Sequence, residues 1–334
     1  MRTLPKKLAF RKNEFPLHQT VLAIALQSQR GPYTGPSSYG LTFRVHSVLP
    51  WESPRMAGLA MCELTTYRWS FEEDVQHYAA AGIEGIGVWR HKLSDFGEKQ
   101  GRALLAEHQL KVSSLFWAGG FTGSGDHSHE ESIEDACDAL RLAKALNAGC
   151  LIVHSGSRAM HTQKHVRRLL LSALDKLLPL AEQLKLAIAL EPMPPKAGAD
   201  WTFLSSLEDA TELVSRYNSP SLRLVFDTYY WGLEADLASR LPAVVPYLAL
   251  VQLADSKFPP SREPNRCGLG NGRLPLANIL RTLTQAGYQG PWEVELMGEE
   301  IETSDYRDLL AHSQTAFDSI LATAAKKPDG SLKH

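Results

Sequence analysis

The feature that most constrains the fold is a repeated alternation of short apolar runs with helical patterns, from near Met56 almost to the C-terminus. Short strands that alternate with helices of about a dozen residues are typical of parallel βα units. The apolar runs predict eight strands, at residues 59–64, 85–89, 112–117, 150–154, 187–191, 222–227, 248–253 and 292–296. Helices are predicted at 71–81, 132–146, 166–184, 206–217, 276–286 and 306–322.

Eight such units over about 270 residues favour a single α/β domain, a (β/α)8 barrel, over an open doubly wound sheet. No GxGxxG follows the first predicted strand, where a dinucleotide-binding sheet would carry it. We therefore expect the barrel at residues 56–325, an irregular N-terminal extension at 1–55 and a short C-terminal tail at 326–334.

The N-terminal 55 residues differ from the barrel in charge. They hold eight Lys and Arg against two Asp and Glu, a net of +6, so the rest of the chain carries −8 of the total of −2. We interpret them as a basic, flexible extension rich in turn residues, in part a start-site artefact with Met56 as the functional start; an organellar targeting peptide is the alternative. An acidic body argues against a nucleic-acid partner.

Membrane and disulfide signals are weak. The apolar run at 20–26 is far shorter than the roughly 20 residues of a membrane-spanning helix. The four cysteines, Cys62, Cys137, Cys150 and Cys267, are scattered, as is typical of reduced thiols in a cytoplasmic protein. We therefore expect a cytoplasmic protein with no membrane association.

The predicted strands end in polar residues, and in such barrels the chemistry lies at those ends. Strands four to eight carry, at or next to their last residue, His154, Glu191, Asp227, Gln252 and Glu295. Converging carboxylates repel each other unless a cation or bound protons neutralise them. Glu191, Asp227 and Glu295 with the amide oxygen of Gln252 suit Mg²⁺ or Mn²⁺ better than Zn²⁺ or Co²⁺. Each acid could instead cap a helix or form an ion pair.

Strand eight carries two glutamates, Glu293 and Glu295. We expect pleat alternation to let only one of them lead the acidic cluster from inside the barrel, and we choose Glu295 because it is nearer the strand's end.

Several short motifs resemble the xylose isomerase-like TIM barrel superfamily of sugar phosphate isomerases and epimerases. They are LEP at 190–192, FDT at 226–228, QLAD at 252–255, GLGNG at 268–272 followed by LP at 274–275, and GYQG at 287–290 leading to Glu295. The resemblance covers about residues 56–321. It implies a TIM barrel and one divalent metal held by Glu191, Asp227, Gln252 and Glu295. The implied substrates are ketoses, inososes or related cyclic ketones.

Two positions depart from the epimerase pattern of this superfamily. Gln252 stands where the strand-seven ligand is usually His, and Tyr230 stands where His usually follows the Asp by three residues. Gln at the first position resembles some 3-dehydroshikimate dehydratases of the same superfamily. His154 is the only histidine at a predicted strand end, which argues against the multi-zinc endonuclease branch.

Such a site removes a proton beside a carbonyl to give an enediolate. Returning the proton yields an epimer or isomer, whereas losing a β-hydroxyl yields a dehydrated product. The resemblance places Glu191 and Glu295 on opposite sides of the ketone as the acid/base pair. His154 is expected to donate to a substrate oxygen or act as a third base, with a supporting hydrogen bond as the alternative.

Candidate substrate contacts come from two regions. Lys257 and Arg266 lie on the long loop 255–273, and loops of this kind often close over a site. Trp117 and His91, near the ends of strands three and two, could wall the pocket. Solvated charges and ordinary packing are the alternatives.

The leading hypothesis is therefore a divalent-metal-dependent isomerase or epimerase of a small polyhydroxy ketone. A dehydratase of the 3-dehydroshikimate or keto-inositol kind and a non-catalytic ligand-binding barrel are the alternatives. A homo-oligomeric state is left open.

Overall fold

The computed structural model describes residues 58–125 and 127–326, so the predicted extension 1–55 and nearly all of the predicted tail 326–334 lie outside the described residues. Eight parallel strands of the described chain close into a barrel in sequential order, which confirms the predicted fold. They are β1 Leu59–Cys62, β2 Gly85–Trp89, β3 Lys111–Gly119, β4 Cys150–His154, β5 Ala187–Leu190, β6 Leu222–Asp227, β7 Leu248–Leu253 and β8 Trp292–Val294. A two-stranded antiparallel ribbon, Asp255–Ser256 with Arg266–Cys267, stands outside the barrel sheet.

Helices follow the strands. They are α1 Phe71–Ala80, α2 Arg90–Phe96, α3 Glu98–Glu107, α4 His129–Ala145, α5 Gln163–Leu184, α6 Pro195–Gly198, α7 Leu207–Tyr217, α8 Thr228–Trp231, α9 Leu237–Val244, α10 Leu276–Gln285, α11 Glu299–Glu302 and α12 Tyr306–Ala325, with a 3-10 turn at Val245–Tyr247. None of the described helices combines the length and the apolar character needed to cross a bilayer.

Local capping explains where several helices begin. Ser70 and Glu73 form the reciprocal hydrogen bonds of a capping box at the start of α1. The same motif, Ser128 with Glu131, starts α4 three residues before the predicted residue 132. Ser206 caps α7 through the backbone N–H of Asp209. Helix starts are therefore set by short polar motifs next to the apolar pattern.

Strand alternation explains where the functional end of the barrel lies. Ile152, Ala189, Val225 and Leu250 belong to one buried apolar cluster that draws on β1 and β3 to β7. Each of these residues is followed, two positions later, by a polar residue at the strand's end: His154, Glu191, Asp227 and Gln252. Because residues two apart share a face, the polar residues lie directly above an apolar plug.

A second buried polar network joins the first βα unit to the next. The ammonium of Lys92 in α2 forms an ion pair with Asp74 in α1 and donates to the backbone oxygens of Thr66, at 3.0 Å, and Glu63, at 3.3 Å. The carboxylate of Glu63 accepts from the backbone N–H of Trp89 at 2.6 Å. Burial raises the pKa of Asp74 to about 6, although the Lys92 ammonium opposes the rise. Burial likewise raises the pKa of Glu63 well above its usual value.

We predict that Lys92→Met lowers the free energy of unfolding by about 3–5 kcal/mol at pH 8, because it leaves buried carboxylates without their cation. The pKa of folded Asp74 already lies above its unfolded value of 3.8, so this group's stabilising effect is complete at low pH and lost as pH rises through about 6. Without Lys92 the pKa rises further, and the loss should be smaller at pH 5 than at pH 8. Urea titrations at both pH values measure it, with Lys176→Met, at an exposed position of α5, as the control. An equal loss at both pH values would contradict the prediction.

Candidate active site

Glu191 and His154 form a pair at the ends of β5 and β4. The imidazole Nε2 of His154 lies 2.8 Å from Glu191 Oε2, and both side chains are largely buried. An ionised carboxylate only accepts hydrogen bonds, so the proton of this contact belongs to Nε2. The other ring nitrogen of His154, Nδ1, is buried without a partner. The pair therefore joins a carboxylate to an imidazole, whose two ring nitrogens can donate or accept a hydrogen bond.

Two tryptophans flank this pair. Trp117 at the end of β3 stacks on the His154 ring, with centroids 6.0 Å apart and planes at 27°. Trp201, which follows α6, meets both rings edge-on, at 5.2 Å from Trp117 and 5.8 Å from His154. The sequence pattern does not identify Trp201 as a candidate site residue, because Trp201 lies in a turn without periodicity. Together the rings give one side of the barrel mouth an apolar wall.

Arg266 lies among the carboxylates on the other side of the mouth. Its guanidinium Nη2 is 2.8 Å from Asp227 Oδ2 and 3.5 Å from Glu295 Oε1, and Nη1 donates to the backbone oxygen of Glu295 at 2.9 Å. The guanidinium carbon lies 4.6 Å above the Tyr229 ring and 5.4 Å from the Tyr230 ring. Arg266 lies on the loop 255–273, as predicted, and the structure buries its side chain inside the acidic cluster. Its contact with a substrate stays a prediction.

The charges of this cluster are only partly balanced. Burial raises the pKa of Asp227 to about 6, although Arg266 opposes the rise and Glu191 adds to it. Burial also raises the pKa of Glu295 well above its usual value. The pKa of Arg266 is itself raised, because Asp227 and Glu295 outweigh the effect of burial. The single positive charge of Arg266 therefore balances only part of the negative charge of Asp227, Glu295 and Glu191, which lie in a region of low dielectric.

Asp227 also has the structural role that was left open as an alternative. Its Oδ1 accepts from the backbone N–H of Tyr229 at 2.8 Å and so caps the short helix α8. Its Oδ2 faces Arg266 and makes no hydrogen bond of good geometry. One carboxylate therefore fixes the backbone while its second oxygen stays available to a cation.

Both glutamates of the eighth strand turn into the barrel, so the expectation that pleat alternation admits only one of them is wrong. Residues two apart share a face, and the Gln252 amide nitrogen donates to Glu295 Oε2 and to Glu293 Oε1, the latter at 3.4 Å. Glu293 is fully buried and also accepts from the hydroxyls of Ser113 and Ser114, at 2.5 and 2.8 Å. Glu295 lies nearer the mouth, as expected.

Two predicted substrate contacts lie away from this cluster. Lys257 is half exposed and forms a 2.7 Å ion pair with Glu300. His91 is exposed on α2, where its ring meets Trp89 edge-on at 5.8 Å. Of the four predicted substrate contacts, the structure brings Trp117 and Arg266 to the site.

The loop after β7 is organised by Asp255. One of its carboxylate oxygens accepts from the backbone N–H groups of Ser256 and Leu274, and the other from that of Gly270. A Cβ atom at Gly272 would lie 2.1 Å from this carboxylate, so only glycine fits there. The acidic end of the QLAD motif therefore shapes the loop that delivers Arg266.

The side chains at the barrel mouth offer oxygen atoms that suit a hard divalent cation. The amide oxygen of Gln252 is buried without a partner, and Asp227 Oδ2 has only the arginine. Oxygen donors of this kind fit Mg²⁺ or Mn²⁺. Across the described residues, Cys62, Glu293 and Glu295 form the one group of three His, Cys, Asp or Glu side chains whose ligand atoms lie within 4.8 Å of one another. The ligand atoms of the predicted set, Glu191, Asp227 and Glu295, are more widely spaced than those of this group. Arg266 lies between Asp227 and Glu295.

Sequence and structure comparisons agree on the architecture. A family model described as xylose isomerase-like TIM barrel matches residues 75–316 of the 334. No curated protein matches the sequence significantly.

Solved structures with the same fold share little sequence with this chain. Protein SMc04130 from Sinorhizobium meliloti 1021 has a TM-score of 0.73 and 22% identity, covering 79% of this chain and 98% of its own. An IOLI protein with a bound zinc atom has a TM-score of 0.70 and 17% identity, covering 81% and 100%. A D-allulose 3-epimerase from Methylomonas sp. has a TM-score of 0.65 and 19% identity, covering 80% and 99%.

We predict that Arg266→Met, assayed with chelator present, lowers the free energy of unfolding by about 3–5 kcal/mol, because it removes the buried cation between Asp227 and Glu295. Lys257→Met is the matched control: it removes an exposed, solvent-screened ion pair and should leave the free energy of unfolding close to that of the wild type. Denaturant titrations of the two variants at one pH compare them. Equal stabilities would show that Arg266 does not balance the acidic cluster.

Proposed function

Because the chain belongs to the xylose isomerase-like TIM barrel family, we propose that it is an isomerase or epimerase that moves a proton beside the carbonyl of a sugar or sugar-like cyclic ketone. The observation that carries this proposal is the pair of buried glutamates, Glu191 and Glu295, which follow β5 and β8 at one barrel mouth and have different partners. Two carboxylates with different environments are what an acid/base exchange of one proton requires.

The different partners of Glu191 and Glu295 suggest a different role in proton exchange for each. Glu191 contacts His154, so a proton removed from a substrate carbon by Glu191 has a second group to which it can pass. Glu295 contacts the amide of Gln252 and the guanidinium of Arg266, which stays protonated and accepts no proton. In this proposal Glu191 with His154 exchanges the proton on one side of an enediolate, and Glu295 serves the other side.

Four residues would hold a divalent metal in this proposal: Glu191, Asp227, Gln252 and Glu295. When bound, the metal would polarise the substrate carbonyl and lower the energy of the negative charge that develops on it. The donor oxygens favour Mn²⁺ or Mg²⁺ over Zn²⁺ or Co²⁺. Two further aspects of the site need no metal: Trp117 and Trp201 offer an apolar face to a sugar ring, and burial keeps bulk water from the glutamates.

The names of similar folds are consistent with this substrate class. Solved structures of the fold include a D-allulose 3-epimerase, an L-ribulose 3-epimerase and a D-psicose 3-epimerase crystallised with D-tagatose. They support the proposed reaction class. Their identities to this chain are 19%, 17% and 13%, so the substrate is left to experiment.

A dehydratase is the second candidate, and Gln252 is the observation that favours it. Gln252 occupies the barrel position expected of the strand-seven ligand, paired in register with Asp227 and Glu293. Glutamine at this position is the feature in which the sequence resembles some 3-dehydroshikimate dehydratases. Such an enzyme shares the first proton abstraction and then expels a β-hydroxyl, for which His154 could supply the proton.

We predict that Glu191→Gln and Asp227→Asn each weaken Mn²⁺ binding severely and leave the barrel folded, because each change removes a charged ligand and keeps the side-chain volume. Isothermal titration with Mn²⁺ and Mg²⁺ measures the affinity. Glu300→Gln, at an exposed acid paired with Lys257, is the control and should bind like the wild type. Unchanged affinity in both site variants would show that other residues hold the metal.

The reaction is tested by incubating the Mn²⁺-loaded protein in D₂O with ketoses, inososes and 3-dehydroshikimate, followed by proton NMR. We expect solvent deuterium to enter a recovered or isomerised sugar, and the Glu191→Gln variant to show none. A new alkene signal would instead establish the dehydratase. Neither signal with any substrate, from protein that binds metal, would favour a ligand-binding barrel without catalysis.

A further inference from the structure

Glu293 is a buried carboxylate that the proposed reaction does not use. It lies on β8, two residues before Glu295, and is fully buried. Ser113 and Ser114 of β3 donate to one of its oxygens, and the Gln252 amide nitrogen donates to the other at 3.4 Å. Gly87 makes the space, since a Cβ atom there would lie 2.7 Å from Glu293 Oε2. The barrel interior is thus built to hold this carboxylate in one place.

The contact with Gln252 fixes which way that amide faces. Its nitrogen donates to both Glu293 and Glu295, and its oxygen is buried with no partner. The reverse orientation would set the amide oxygen against two carboxylates, which is repulsive. Because the nitrogen faces the two glutamates of β8, the oxygen of the same planar amide points away from them.

Of the two acceptors, Glu293 is the one that remains when a metal binds. Glu295 is itself a proposed ligand, so a bound cation would draw its carboxylate away from the amide nitrogen. Glu293 is held by two serine hydroxyls and pairs in register with Gln252 across β7 and β8. Glutamine has three rotatable side-chain bonds, so as a ligand it needs such an outer partner to present its oxygen.

We propose that Glu293 is a positioning residue that orients the Gln252 amide so that its oxygen faces the divalent metal. This rests on the proposed function, since it takes the metal to lie at the barrel mouth. Outer partners of metal ligands affect metal affinity by about 10–100-fold when they are removed. Glu293 therefore affects metal binding through Gln252 without touching the metal or the substrate.

The test is a Mn²⁺ titration of the chelator-treated full chain, with free Mn²⁺ read by electron paramagnetic resonance. Glu293→Gln keeps the side-chain size and removes the charge, whereas Glu293→Asp keeps the charge and sets it one methylene further from Gln252. Both should raise the Kd for Mn²⁺ by about 10–100-fold. Wild-type affinity in Glu293→Asp would mean that only the charge matters, and would overturn the proposal.

A double-mutant cycle with Gln252→Ala separates positioning from long-range charge. If Glu293 acts through Gln252, Glu293→Gln should leave the Kd of the Gln252→Ala protein unchanged. An undiminished effect in that background would overturn the proposal. Thermal unfolding of the metal-free variants checks folding. If Glu293→Gln does not fold, Ser114→Ala, which removes one donor to Glu293 and keeps the carboxylate, should raise the Kd less and show the same dependence on Gln252.

A second readout distinguishes failure of this proposal from failure of the metal site. The side-chain amide of Gln252, identified in a ¹H–¹⁵N spectrum by its loss in Gln252→Ala, should shift in metal-free Glu293→Gln. A shift from a protein that binds no Mn²⁺ would uphold the orienting contact and overturn the metal site. Normal Mn²⁺ binding with no shift and no change in Kd would overturn the role of Glu293 and leave the proposed function standing.

Discussion

The structure of the barrel mouth depends on the repulsion between carboxylates buried close together. Glu191, Asp227, Glu293 and Glu295 lie at or near the ends of three strands, and each is at most 6% exposed. In a region of low dielectric such charges are unfavourable unless each has a partner. The chain supplies four kinds of partner among them: an imidazole, a guanidinium, serine hydroxyls and an amide. These partners decide what each carboxylate can do chemically.

Buried charges also need partners in the first βα unit, where no reaction is proposed. There Lys92 neutralises Asp74 and donates to the backbone of Glu63, which joins β1, α1 and α2. Lys92 is enclosed and fully occupied by these contacts, whereas the imidazole of His154 keeps one nitrogen free beside two tryptophans. The two places differ at their nitrogen groups: the Lys92 ammonium has three acceptors, whereas one nitrogen of His154 has no partner.

Gln252 and Tyr230 limit which groups of the barrel mouth can exchange a proton. Neither the amide of Gln252 nor the phenol of Tyr230 contributes a group that titrates near neutral pH, since burial raises the pKa of Tyr230 well above its usual value. Proton exchange is then left to the carboxylates and His154. The amide also lacks the rigid ring that helps to aim an imidazole, which explains why its surroundings carry a fixed acceptor at Glu293.

The sequence by itself determined the eight βα units, the family and the strand-end residues, because alternation and strand length are local properties of the chain. β2, β4, β6 and β7 begin and end at the predicted residues. Only the tertiary structure decided how those residues pair. Arg266 reaches Asp227 from a loop 39 residues later, Trp201 reaches His154 from a turn, and Glu293 meets serines 180 and 179 residues away. Such contacts depend on barrel closure and loop path, which carry no periodic signal in the sequence.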